Sequence, residues 1–212
     1  MSKIYHYRIG AIVRAGNKYL LVRAINQDGT PASGFHVPGR PLNEFKPEKV
    51  LRRFFLDYYD AEVEVRNSLA PVEKNGDSLS AYYVEEITTL RFPSDSFQFG
   101  FYSPSELSGM NVEPADRIAV AKADCFLPLL MGKKRVTPLT PAEIDKVNRM
   151  LDCLRYFSST IPSRERKQFL ALANSEIDYA GLLKAFKFVL AQYEVSYFRY
   201  LDRKNKENPF DI

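Results

Sequence analysis

Residues Gly39–Val63 read GRPLNEFKPEKVLRRFFLDYYDAEV. The stretch opens as a glycine-hinged loop and runs into a helical pattern. Pro47 suits a first helical turn, where its missing amide has no partner to lose. Glu48 sits beside it at the positive end of the helix dipole. Val50, Leu51, Phe54, Phe55 and Tyr58 then recur at helical spacing. A loop feeding a helix in this way is a common frame for a phosphate or metal site. A hard cation in such a site wants oxygen ligands, with one or two carboxylates at least. Positions i, i+3 and i+4 share one helix face. Phe54, Asp57 and Tyr58 make one such face, with one carboxylate and two rings.

The flanking sequence is strand-like on both sides. Tyr5 to Ala24 reads as a hairpin with a turn at Gly16-Asn17. A polar loop, INQDGTPASG, leads to the short apolar segment FHVPG. Beyond the helix, AEVEVRNSLAPVEK and SLSAYYVEEIT read as two strands joined through KNGDS, and SFQFGFYS as a third with Phe97, Phe99 and Phe101 on one face. SPSEL opens a helical turn with a capping serine at Ser103 or Ser105. EPADRIAVAKADCFLPLLM reads as a helix broken near Pro128.

The pattern changes after MGKKRVTPLTPAE, a proline-containing basic elbow. Thr140-Pro141-Ala142-Glu143 is a helix start, and Ser159 or Ser163 offers a cap for a second helix. A last helix is expected from about Tyr179 to Arg203, on the stripe Leu182, Phe186, Val189, Tyr193, Tyr197 and Tyr200. The expected architecture is α+β, an α/β/α sandwich with a mixed sheet over 1–132, followed by an all-α C-terminal domain or extension over 133–212.

Composition sets the outer bounds. The 212 residues are 45% hydrophobic and include 13 Tyr and 15 Phe, enough for a packed core. No apolar run approaches the roughly 18 residues needed to span a bilayer. The first residues, MSKIYHYRIG, lack a secretory core, so a cytoplasmic protein without a membrane partner is expected. Cys125 and Cys153 stand alone in apolar stretches, which favours buried thiols over a zinc site. With only His6 and His36, a histidine triad has little material. Residues 1–132 hold 15 Lys and Arg against 16 Asp and Glu, and residues 133–212 hold 15 against 10. The basic C-terminal part suits an anionic partner or a solvated helical surface.

In the order of its pieces, the first 130 residues resemble the Nudix superfamily. GAIVRAGNKYLLVRA matches the opening strand, turn and strand of that family, and GFHVPGR stands where it has an aromatic before Pro-Gly-Gly. FYSPSELSGMNVEPADRIAVAKA resembles its late Glu-Leu stretch and closing helix. With Gly39 on the glycine of the Nudix box, the box runs over 39–61. Arg53 then falls on the box arginine, Phe55 and Ala61 on aliphatic positions, and Pro47-Glu48 where many members have Pro-Glu. The departures lie on the chemistry. Phe45 replaces the first Glu, Phe54 the Glu after the arginine, Tyr58 one member of the Glu pair, and Asp60 the box glycine. A register one residue shorter sets Glu44 on the first Glu and Arg52 on the arginine, but the glycine spacing is then one short.

The resemblance implies a fold that cleaves nucleoside-diphosphate derivatives with Mg²⁺ or Mn²⁺ when active. It also implies that the remnants Gly39, Glu48, Arg53 and Asp57 line the old site. Asp57 and Glu44 are the candidate metal ligands, and Arg23 and His36 the candidate contacts to an anionic ligand. One carboxylate cannot hold the ions and the leaving phosphate together. The expected function is therefore a catalytically impaired Nudix-like module that binds a nucleotide-type ligand or a protein. One alternative is a divergent metal-dependent hydrolase using Asp57 with Glu44, Glu85 or Glu86. The other is a Nudix-derived DNA-binding regulator. The C-terminal helices are expected to dock a protein or a second copy sooner than to read nucleic acid, since no β-wing follows them.

Overall fold

The computed structural model describes residues 6–32, 34–41, 46–92, 97–133, 138–175 and 177–207. It divides into two compact units, Met1–Met131 and Gly132–Ile212. The chain is α+β in the first unit and helical in the second.

Unit one holds two small sheets and two long helices. Strands β1 (His6–Ile12), β4 (Gly39–Pro41), β5 (Val63–Ser68), β6 (Val72–Lys74) and β7 (Asp77–Glu86) form a mixed sheet in the order β4-β1-β7-β5, with β6 also on β7. The β1–β7 pair is parallel and the others antiparallel. Strands β2 (Arg14–Ala15), β3 (Lys18–Ala24) and β8 (Phe97–Tyr102) form the second sheet, in that order. The expected N-terminal hairpin is thus corrected. Only β2 and β3 pair across the Gly16-Asn17 turn, and β1 changes sheets at Val13 to pair with β7.

Alternation along the strands places the helices. Ile9, Ala11 and Val13, with Leu20 and Val22, pack in one cluster with Val50, Leu51, Phe54, Phe55 and Tyr59 of α1 (Pro47–Tyr59). Residues of opposite parity turn to the other face. From there Arg8 reaches Asp116 and Tyr19 reaches Asp124, both on α2 (Pro114–Leu130). One helix therefore covers each face, the layered arrangement expected from the sequence.

Local details follow side-chain chemistry. Asn75 and Gly76 both take positive φ between β6 and β7, the tight turn that Asn-Gly favours. Leu69–Pro71 splits the expected single strand into β5 and β6. Ser103 uses its amide and hydroxyl to donate to Glu106, while Ser105 is the N-cap residue of the 3₁₀ turn Glu106–Gly109 without a side-chain cap bond. Pro128 does not break α2, which runs on to Leu130. It sits in the last turn, three residues before the C-cap Met131, so the i→i−4 bond its missing amide forfeits falls at the end of the helix.

Unit two contains α3 (Pro141–Tyr156), α4 (Ser163–Ala173), α5 (Tyr179–Gln192) and α6 (Tyr197–Glu207), and no strand among its described residues. The α3 start is a full capping box between Thr140 and Glu143. Ser163 is the first residue of α4, behind Pro162, and does not cap it through its side chain. The single last helix expected over Tyr179–Arg203 is two. Glu194 takes the left-handed conformation (φ 54°), and Val195 N–H returns to Leu190 O at 3.0 Å, closing α5. Both cysteines are free and buried, and burial pushes the Cys153 thiol up to about 12. No helix of the described residues is long and apolar enough to cross a membrane.

Candidate functional site

The Gly39–Ala61 segment is held at its start by close backbone packing. Gly39 pairs with Gly10 of β1, and a Cβ on Gly39 would lie 2.2 Å from Ile9 O. The glycine is needed because two backbones touch, rather than for an unusual φ. Ala11 N–H donates to Pro38 O at 2.7 Å, and Val37 N–H to the buried Asp116 carboxylate at 2.8 Å. Arg8 donates to the other oxygen of Asp116. That anchor joins residues 108 apart in sequence, and no local pattern announces it.

Leu42 to Phe45 lie outside the described residues, so Glu44 and Phe45 have no described position. Glu48 is exposed in the first turn of α1, and its carboxylate adds to burial in pushing the Tyr82 phenol up. Arg53 pairs with Asp57 at 3.4 Å, an i,i+4 contact between two solvent-facing side chains. Asp57 is thus on the helix surface with a cation already beside it. Asp60 ends α1 in the left-handed conformation (φ 47°), the geometry a glycine adopts freely and Asp tolerates. Its carboxylate pairs with Arg91 at 2.7 Å.

The other two positions of the face belong to an aromatic wall. Phe54 is only 6% exposed and lies 5.0 Å from Tyr58, 5.6 Å from Tyr59 and 5.7 Å from Phe55 between ring centroids. Tyr58 is 47% exposed and meets Phe97 of β8 edge-on at 6.3 Å. Tyr59 meets Phe92, which stacks on Phe99 at 3.8 Å. Pairing of β3 with β8 sets Phe97, Phe99 and Phe101 on the face of Leu20 and Val22, toward α1. The Tyr59 hydroxyl is buried and has no hydrogen-bond partner among the described residues.

Arg23 and His36 do not converge. Val22 pairs with His36, which puts those two side chains on one face and Arg23 on the opposite one. Arg23 donates to Gln98 at 2.8 Å and stacks over Phe35 at 4.7 Å. His36 Nδ1 lies 3.0 Å from Val37 O. The carboxylates considered as substitutes are also placed. Glu85 is tied to Arg66 at 3.1 Å, and Glu86 is exposed at the end of β7.

These donors do not fit a divalent-ion centre. Among the described residues, no three His, Cys, Asp or Glu side chains cluster as metal ligands. On the helix face of Asp57, the Phe54 ring is buried.

No family model and no curated protein matches the sequence. Solved structures similar to this chain include the Escherichia coli ORF135 protein, at 21% identity over 55% of this chain and 86% of that one, with a TM-score of 0.45. A MutT Nudix hydrolase from Burkholderia pseudomallei is 18% identical over 54% and 95%, with a TM-score of 0.43. A Nudix hydrolase from Nitrosomonas europaea is 13% identical over 58% and 72%, also at 0.43. The family that the sequence resembles thus recurs among these structures. A likeness at this level fixes neither substrate nor chemistry.

Proposed function

We propose that residues 1–131 form a Nudix-type module that has lost metal-dependent hydrolysis and serves to bind a nucleotide-type ligand or a protein. The observation that carries this reading is the burial of Phe54 within the α1 core, at the position the resemblance assigns to a carboxylate. A carboxylate there would be desolvated, and an aromatic ring supplies no ligand. Asp57, the remaining acid, is matched by Arg53. The half-open rings of Tyr58 and Phe99 give a nucleobase a surface to stack on.

The test is a hydrolysis panel with Mg²⁺ or Mn²⁺ and nucleoside-diphosphate substrates, including ADP-ribose, run beside thermal-shift titrations with the same compounds. The expected outcome is a stabilising shift with a nucleotide and no product. Turnover that disappears in Asp57→Ala would overturn the proposal in favour of a divergent hydrolase.

A further inference from the structure

A second feature of unit one lies away from the aromatic wall. An open groove of about 530 Å³ is bounded on one side by Lys49, Arg52 and Leu56 of α1, and on the other by the start of β5 and Ile87. Val63 and Val65 of β5 turn their side chains under α1, so by alternation Glu62 and Glu64 turn to the opposite face of the sheet. A groove lined from both faces of a strand runs along that strand's edge. β5 is the terminal strand in the order β4-β1-β7-β5.

Register says which backbone groups this edge presents. Ile87 N–H donates to Glu62 O at 2.9 Å, just beyond the Val63–Glu86 pair. In an antiparallel ladder that bond marks Val63 and Glu86 as a non-hydrogen-bonded pair. Val63 therefore points its amide and carbonyl away from β7, and Val65, two residues on, does the same. A bulge between Val65 and Ser68 ends the regular edge there.

Charge identifies the occupant. Of the charged residues that line the groove, Arg53 is paired with Asp57 and Glu64 with Arg66 at 2.8 Å, while among the described residues Lys49, Arg52 and Glu62 make no ion pair, which leaves the α1 side net positive. Between them Leu56 is 55% exposed and Ile87 is 64% exposed. We propose that this groove takes an extended acidic peptide segment, added as a short strand to the Val63–Val65 edge. Its carboxylates on one face meet Lys49 and Arg52, and its aliphatic side chains on the other meet Ile87. Strand addition gives affinity through the backbone, and the charged wall selects the sequence.

The experiment uses the full chain and a short fluorescein-labelled peptide of alternating glutamate and valine, read by anisotropy. Binding is expected, with amide exchange slowed at Val63 and Val65. Lys49→Glu combined with Arg52→Glu changes exposed residues only, and is expected to weaken binding by about tenfold or more. N-methylation of alternate peptide amides removes pairing donors and leaves the protein untouched, and is expected to weaken binding as much. Equal binding of the methylated peptide would reduce the contact to charge adsorption and overturn strand addition. No binding, or equal binding of a lysine–valine peptide, overturns it as well. A dimer in sedimentation that dissociates with Arg52→Glu assigns the edge to a second copy and also rejects the proposal.

Discussion

Asp116, fully buried in the first turn of α2, accepts Val37 N–H at 2.8 Å on one oxygen and the Arg8 guanidinium at 2.5 Å on the other. One carboxylate thus ties β1 to the segment that delivers Gly39. Asp116→Ala leaves the Arg8 cation without this partner and the Val37 amide unmatched. Removing one partner of a buried pair costs about 3–5 kcal/mol, and the part-exposed Arg8 places the expected loss near the lower end. Urea denaturation measures it, and a loss below about 1 kcal/mol would show that the anchor is incidental.

Phe54→Glu puts a carboxylate into α1, but into a packed aromatic core. We expect destabilisation of about 3 kcal/mol or more and no gain of hydrolysis. Asp57→Ala, by contrast, removes an exposed i,i+4 pair worth about 0.3–0.5 kcal/mol. Chemical denaturation of both variants, with and without Mn²⁺, checks the contrast. Recovery of the Phe54→Glu loss by the metal would contradict it.

Gly39→Ala places a Cβ 2.2 Å from Ile9 O, a backbone atom that cannot rotate aside. The expected cost exceeds about 2 kcal/mol, well above the usual surface substitution. Asp60→Gly has the opposite sign. It relieves a left-handed non-glycine residue and loses only an ion pair between exposed side chains, for a net gain of about 0.5 kcal/mol. Thermal melts of the two variants should move in opposite directions.

Tyr59→Phe removes a buried hydroxyl that has no partner among the described residues, so it is expected to leave stability unchanged or raise it by up to about 1 kcal/mol. Burial also holds the Tyr59 phenol protonated well above its ordinary value of 10.0. Below that value the phenol is neutral in the folded and unfolded chain alike. As pH rises past it, the unfolded chain releases the proton while the folded chain keeps it, and stability falls. The alkaline slope should be shallower in Tyr59→Phe, as denaturation at stepped pH above about 9 would show.

Sequence and structure agree most closely where the cause is local. Alternation alone set Phe97, Phe99 and Phe101 on one face, Asn75-Gly76 announced its turn, and Thr140 with Glu143 announced the α3 cap. Sheet membership is not local, so the exchange of sheets at Val13 was invisible. The stop of α5 was hidden because Glu194, rather than glycine, holds the left-handed turn. At the candidate site, helical spacing alone showed the rings of Phe54 and Tyr58 beside Asp57. The Arg8–Asp116 anchor and the Val22–His36 pairing that separates Arg23 from His36 depend on contacts between distant segments.

The aromatic wall also acts as a ratchet. A helix positioned by bound ions answers to chelators, whereas one wedged by Phe54, Tyr59 and Phe92 keeps its place whatever cation the medium supplies. A three-carboxylate face at these positions would require Phe54 and Tyr58 to change together beside Asp57. The first of those changes alone opens a charged hole in the core and has no ion to neutralise it. Tyr58, 47% exposed, is not held by burial in this way, so packing resists the change at Phe54 above all.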